Sequence, residues 1–262
     1  MVKPFTFWHK DHAEAVTAEA QNLLRKRLPL AARRRFLTRG LTLGGLSLLS
    51  GCVIDDDTTA EAALTRISRI NDWVQGRLFD PSQLAPTYPD SMIARPFPFN
   101  AFYGEDQAPR IDAGDFRLEV SGLVARKQPW SLADLRTLPR YSQVTRHICV
   151  EGWSAVGKWG GPRLSDFLRM IGADLSARYV GVHCADNYYT SIDMATALHP
   201  QTLIALDWDD RPLPPKYGFP MKLRIPTKLG YKNPKHIQAI FVSNTFNRGY
   251  WEDQGYNWFG GS

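Results

Sequence analysis

Arg146-His147-Ile148-Cys149-Val150-Glu151-Gly152-Trp153-Ser154 is the stretch on which the reading of this 262-residue chain turns. Residues 141–150 read as a strand, so Cys149 stands at a strand end beside an arginine, a histidine and a glutamate. Four chemistries are open to such a thiol. It can be a soft ligand for a late or redox-active metal. It can be a nucleophile activated by a histidine, His147 or His183. It can pair with Cys184 in an oxidising compartment, or pack as a small buried hydrophobe.

Outward from that strand the pattern is mixed. Upstream, Leu64, Ile67, Ile70, Trp73, Val74 and Leu78 recur at helical spacing, which predicts one amphipathic helix over 63–78. Six prolines between 80 and 109 (Pro81, Pro86, Pro89, Pro96, Pro98, Pro109) predict an extended loop over the domain surface. Residues 116–124 alternate apolar and polar side chains as a half-buried strand ended by Gly122. Ser131-Leu132-Ala133-Asp134 has the spacing of a capping box and starts a short helix. Downstream, 164–171 predicts a helix stopped by Gly172. Further strands are expected over Tyr179–Cys184, 203–208, 221–225 and 236–243, with Asp209-Asp210-Arg211-Pro212 as a turn. Strands 10–20 residues apart with only short helices between them point to an α+β domain with a mixed sheet, not a doubly wound one. No internal repeat, GxGxxG, P-loop, HExxH or CxxC occurs, which leaves the common nucleotide and zinc signatures without support.

Composition first suggests a polyanion partner, since 32 Lys and Arg face 26 Asp and Glu. The excess, however, belongs to the first 39 residues, with nine bases against three acids, and 53–262 carry equal numbers of each sign. A nucleic-acid partner is therefore not expected. Residues 40–54 are uncharged and too short to cross a bilayer as a helix, where about 20 residues are needed. A basic front, an apolar run and a polar start is the layout of an export signal. Arg33-Arg34-Arg35-Phe36-Leu37 resembles the twin-arginine consensus, and Leu49-Ser50-Gly51-Cys52 resembles a lipobox, which would put a lipid anchor on Cys52. The expected organisation is an export signal over 1–52, a helix and proline-rich linker over 53–95, and a catalytic domain over 96–262. The expected location is periplasmic, with the lipid holding the protein at a membrane.

The segment around Cys149 resembles the sulfite-oxidase-type molybdopterin-binding oxidoreductases, in which one cysteine thiolate binds molybdenum. Cys149-Val150-Glu151, followed by Trp153-Ser154, looks most like the methionine-sulfoxide-reductase branch of that family. Two further blocks carry the resemblance in the same order. One is Asn100-Ala101-Phe102-Tyr103-Gly104. The other runs from Arg211-Pro212-Leu213-Pro214-Pro215 through Gly218-Phe219-Pro220-Met221-Lys222-Leu223-Arg224-Ile225-Pro226 to Lys228, Gly230, Lys232, Asn233, Pro234 and Lys235. Together they cover about residues 95–245. The chain departs from the pattern at Cys184, where the reductases have threonine, at Tyr217, where they have asparagine or histidine, and at Lys222, usually arginine. A point-charge ammonium does not replace a planar guanidinium fork.

By resemblance the fold is the mixed-sheet molybdopterin-binding domain and Cys149 is the metal ligand. Asn100, Tyr103, Gly104, Cys184, Tyr217, Lys222, Lys228, Asn233, Pro234 and Lys235 contact the cofactor, and Arg146, beside Cys149, is expected as a catalytic residue that, like His147 and His183, lines a substrate pocket or relays protons. The residues agree with this in one respect. Lys222, Arg224, Lys228, Lys232 and Lys235 form a basic run without an acid inside an otherwise neutral domain, suited to a cofactor phosphate. The activity implied is two-electron oxygen-atom transfer on a small oxo-acceptor, a sulfoxide or related compound, with molybdenum–molybdopterin, one per chain. No haem or iron–sulfur spacing is present, so electrons would pass to or from a separate membrane b-type or soluble c-type cytochrome. Sulfite oxidation by the same cofactor, a metal-free cysteine nucleophile and a non-enzymatic lipoprotein with a Cys149–Cys184 disulfide are the alternatives.

Overall fold

Residues 57–262 are described in the structure, a computed structural model, with side-chain surroundings given from Arg66 onward. The arginine pair, the apolar run and Cys52 lie outside the described residues. Two compact units divide between residues 63 and 64. Of the first, only the helical residues 57–63 are described; the second, 64–262, holds all that follows.

The predicted helix is present as α1, Asp57–Leu78. Its polar flank, not its apolar stripe, meets the C-terminal tail: the Phe259 backbone N–H donates to Asp72 Oδ1 at 2.7 Å and that of Gly261 to Gln75 Oε1 at 3.0 Å. Residues 80–109 then run as the extended loop that the prolines demand, broken by two single 3₁₀ turns and tied down by a Thr87–Thr145 bridge.

The remaining elements alternate. Strand β1 (Glu119–Gly122) is followed by α2 (Leu132–Arg136), β2 (Tyr141–Ile148) and β3 (Ser154–Gly161), then α3 (Leu164–Met170). Next come β4 (Tyr179–Cys184), β5 (Tyr189–Asp193) and α4 (Met194–Leu198), then the short β6 (Leu203–Ala205), β7 (Asp207–Trp208) and β8 (Arg211–Pro212). The chain closes with β9 (Lys222–Arg224), β10 (Ile237–Ser243) and α5 (Tyr250–Asp253). One sheet has the order β1-β10-β4-β5, with β1 parallel to β10 and the other pairs antiparallel. A second, β2-β3-β7-β8, is antiparallel throughout, and β6 pairs with β9 alone. The architecture is therefore α+β with mixed pairing, as expected.

Local signals explain most of these boundaries. Ser131 caps α2 through both halves of a capping box: its Oγ accepts from the Asp134 N–H at 3.1 Å and Asp134 Oδ2 accepts from the Ser131 N–H at 2.8 Å. Gly172 ends α3 at φ +64°, and Asp209 and Asp210 turn the β7–β8 hairpin at φ +48° and +62°. The main core gathers Leu118, Phe167, Leu168, Val180, Ile192, Leu223 and Ile240 around the mixed sheet. A smaller aromatic core of Phe97, Trp159 and Tyr217, with Trp208 against it, fills the space beneath β3. Each such side chain contributes about 1.5–3 kcal/mol by leaving water.

Candidate cofactor site

Strand alternation decides what reaches the end of β2. Successive side chains point to opposite faces, so Thr145, His147 and Cys149 face inward while Arg146 faces outward. Its guanidinium lies 5.2 Å from the centre of the Tyr88 ring. The expected substrate-side role for Arg146 is thus not matched by its position: it does not line the cavity at Cys149.

That cavity, of about 220 Å³, is walled by Cys149, Val150 and Glu151, by Phe99, Asn100 and Phe102 of the proline-rich loop, by Asp186 and Tyr188, by Gly230, Tyr231, Asn233, Pro234 and Lys235, and by Trp251 and Tyr256. Of the residues that the resemblance points to, it brings together Cys149, Asn100, Asn233, Pro234 and Lys235. Tyr103 stands one shell out, its hydroxyl donating to Asp186 Oδ2 at 3.0 Å. Gly104 is exposed at the start of a 3₁₀ turn.

The Cys149 backbone is pinned by a tight turn, its N–H donating to Trp153 O at 2.9 Å and its carbonyl accepting from Gly152 at 3.1 Å. The thiol donates to Glu151 Oε2 at 3.6 Å, and that oxygen also accepts from Trp153 Nε1 at 2.9 Å. Burial pushes the thiol pKa up, and the neighbouring Glu151 charge adds to it. Neither His147 nor His183 bonds the sulfur; His183 stacks on Phe241. Cys149 and Cys184 are both free thiols, with Cys184 buried in the main core. The disulfide and histidine-activated readings therefore find no partner geometry here.

Below the cavity lies an unusual concentration of buried positive charge. Lys222 and Arg224 share one face of β9, two residues apart, and both are almost wholly buried. No acid forms an ion pair with Lys222, Arg224 or Lys235 among the described residues. The Lys222 ammonium sits 4.5 Å from the Trp159 ring centre and that of Lys235 4.4 Å from Phe99. Burial drives the Lys222 pKa far below its ordinary value, with Lys235 and Arg224 adding repulsion. Burial also pushes Lys235 down to about 8. Arg224 is held by neutral acceptors, Asn233 Oδ1 and Thr145 Oγ1 at 3.1 Å each and the Arg146 carbonyl at 2.6 Å.

His147 completes the cluster. Its Nε2 meets Asn100 Nδ2 at 3.2 Å, and burial together with Arg224, Lys222 and Lys235 keeps the ring neutral. Three buried polar atoms here have no partner: His147 Nδ1, Arg224 Nε and His236 Nε2. Gly230 is required at the cavity wall, because a Cβ there would stand 2.7 Å from His147 Nε2.

Of the predicted contacts, Cys184, Tyr217, Lys222 and Lys228 do not line the cavity. The Lys228 ammonium lies over the Phe259 ring and faces Asp193 Oδ2 at 3.6 Å, and Lys232 forms a buried ion pair with Glu252 and donates to Thr190 Oγ1 at 2.9 Å. These lysines of the basic run tie the C-terminal tail to the domain, so only Lys222, Arg224 and Lys235 remain for an anion. Tyr217 belongs to the aromatic core, its hydroxyl donating to Phe97 O at 2.8 Å. The aromatic residues Phe99, Tyr188, Tyr231, Trp251 and Tyr256 and the carboxylate Asp186 are the wall residues that the sequence reading did not single out; they come from separate loops, and no local spacing marks them.

The residues fit the expected cofactor. Burying unpaired cations and leaving donors without acceptors costs several kcal/mol, a cost that an anionic, many-atomed ligand such as a pterin phosphate offsets. Among the described residues no cluster of three or more His, Cys, Asp or Glu forms a metal cage. A metal here would be held through the Cys149 thiolate, a soft ligand suited to a redox-active ion.

Comparison with known proteins points to the same class of cofactor. The family model described as "Oxidoreductase molybdopterin binding domain" matches residues 105–251. The chain is 64% identical over 251 residues to the "Putative protein-methionine-sulfoxide reductase subunit YedZ1" of Azospira oryzae, covering 96% of each. It is 30% identical to the protein-methionine-sulfoxide reductase catalytic subunit MsrP of Ralstonia nicotianae, over 65% of this chain and 62% of that one. Among solved structures, the sulfane dehydrogenase SoxCD of Paracoccus pantotrophus aligns with a TM-score of 0.50 at 18% identity, over 53% of this chain and 40% of that one, a likeness of fold.

Proposed function

We propose a function for this chain from its family: it belongs to the molybdopterin-binding oxidoreductases and is an enzyme of that family. Within the family, the site best supports reduction of a neutral sulfoxide or a related small oxo-acceptor. When bound, the molybdenum cofactor supplies two-electron oxygen-atom transfer. Cys149 Sγ would hold the metal, and Glu151 Oε2, which already accepts the thiol hydrogen bond, is the base placed to take its proton. Lys222, Arg224 and Lys235 would hold the anionic end of the cofactor. Asn100, bonded to the buried His147, lines the cavity, and Gly230 leaves room there for the His147 ring. Asn233, locked by Arg224, Ile225 and Leu229, fixes the loop carrying Pro234 and Lys235.

The observation that carries the substrate class is the wall of the cavity. It is aromatic (Phe99, Phe102, Tyr188, Tyr231, Trp251 and Tyr256), carries the carboxylates Glu151 and Asp186, and has Lys235 as its one cation. Such a mouth repels a dianion and accepts a neutral sulfur compound with apolar arms. Sulfite oxidation needs positive charge at the mouth, and Arg146 is turned away onto Tyr88. The names carried by the relatives from Azospira oryzae and Ralstonia nicotianae point to methionine sulfoxide in particular. Export by the twin-arginine route, lipid attachment at Cys52 and electron supply by a b- or c-type cytochrome belong to the same reading and rest on the sequence. The test assays the molybdenum-loaded enzyme with methionine sulfoxide and dimethyl sulfoxide plus a low-potential dye, and with sulfite plus an oxidising dye. Sulfoxide turnover is expected to exceed sulfite turnover by orders of magnitude; the reverse would overturn the assignment.

A further inference from the structure

Among the described residues, one face of α1 is left without a protein partner. Ile67 and Ile70 are each 62% exposed, Trp73 is 69% and Leu78 is 78% exposed, with Val74 beside them. At 100° per residue, 67, 70, 74 and 78 form one stripe, with Trp73 on its edge. The opposite flank, through Asp72 and Gln75, is occupied by the C-terminal tail, so the stripe is held facing outward.

The charges beside it have one sign. Arg66, Arg69 and Arg77 are exposed and form no ion pair among the described residues, and the single acid between residues 66 and 78, Asp72, is turned to the tail. An apolar stripe with an indole at its edge and unpaired arginines alongside is the pattern of a helix lying in a lipid headgroup region. No described helix is long and apolar enough to cross a membrane.

We infer that the outward face of α1 rests on an anionic lipid surface, with Ile67, Ile70, Trp73 and Val74 at the acyl boundary and Arg66, Arg69 and Arg77 against lipid phosphates. The catalytic domain would then be held against the membrane through a surface separate from the Cys149 cavity.

The test uses the full chain with phosphatidylcholine vesicles and with vesicles containing about a third phosphatidylglycerol. It reads co-sedimentation and amide exchange of residues 66–78. The leader is present in every sample, so differences among variants report on α1. Ile70→Gln with Trp73→Gln is expected to weaken partition roughly tenfold or more. Arg66→Gln, Arg69→Gln and Arg77→Gln together should weaken binding to anionic vesicles on the order of a hundredfold and leave neutral vesicles little changed, since each basic residue near such a surface contributes about fivefold. Unchanged melting of these surface variants separates the effect from misfolding. Equal partition of wild type and variants would overturn the inference. So would protection of 66–78 that appears with protein concentration in the absence of lipid, which would assign the face to a second copy of the chain.

Discussion

Lys235→Met separates what a buried cation costs the fold from what it contributes to binding. In the folded protein burial lowers the ammonium pKa from 10.5 to about 8, which corresponds to a cost near 3 kcal/mol at pH 7. Methionine keeps the stem against Phe99 but loses the hydrogen bond to Lys216 O at 3.0 Å, worth about 1 kcal/mol. The cofactor-free variant should therefore be more stable than the cofactor-free wild type by roughly 2 kcal/mol at pH 7. The sign of the pH dependence follows. Between pH 8 and 10.5 the unfolded wild type holds a proton that the folded state has lost, so wild-type stability rises with pH there. The variant lacks that rise, and its advantage should vanish by about pH 10. Urea unfolding of protein from cells unable to make the cofactor, at pH 7 and 10, measures this. Molybdenum content after expression in cofactor-competent cells should meanwhile fall at least tenfold. A variant less stable than wild type at pH 7 that retains full molybdenum would refute the reasoning that Lys235 is kept for an anion.

Other outcomes follow from single contacts. Gly230→Ala places a methyl 2.7 Å from His147 Nε2, so it should cost about 1–3 kcal/mol in a thermal melt and reduce cofactor loading more than stability. Glu252→Gln leaves Lys232 charged and buried without its anion, and should lose about 3–5 kcal/mol of stability while the Cys149 thiol stays free by thiol titration. Arg146→Ala removes a cation–π contact with Tyr88 and should cost about 0.5–1 kcal/mol, with kcat/KM for a sulfoxide within about threefold of wild type; a larger kinetic loss would restore Arg146 to the site.

Local chemistry made part of this molecule legible before its structure. The Ser131–Asp134 box, the Gly172 stop and the Asp209-Asp210 turn act within a few residues, and each appears where the pattern predicts. The Cys149 block was legible as a motif because its neighbours carry chemistry. Strand β3 was not, since Ser154–Gly161 holds three glycines, which in isolation argue against a strand. The reason is tertiary: a Cβ on Gly157 would meet the Trp208 ring at 2.6 Å. Likewise the basic run 222–235 reads as one phosphate patch, yet the partners Glu252 and Asp193 lie far along the chain and draw Lys232 and Lys228 away from the cavity. The helical spacing in α1 predicted the element, but not that its apolar face would look outward. That depends on the tail, whose backbone N–H groups seek Asp72 and Gln75.

Cys149 Sγ would hold the molybdenum, and Lys222, Arg224 and Lys235 would hold the anionic end of its cofactor. Molybdenum-edge X-ray absorption on wild type and Cys149→Ser, each purified after cytoplasmic expression with molybdate, tests this most directly. The account predicts a metal-loaded wild type with one more sulfur neighbour at molybdenum than the variant. Folded wild type without molybdenum, or an identical sulfur count in the two proteins, would contradict it.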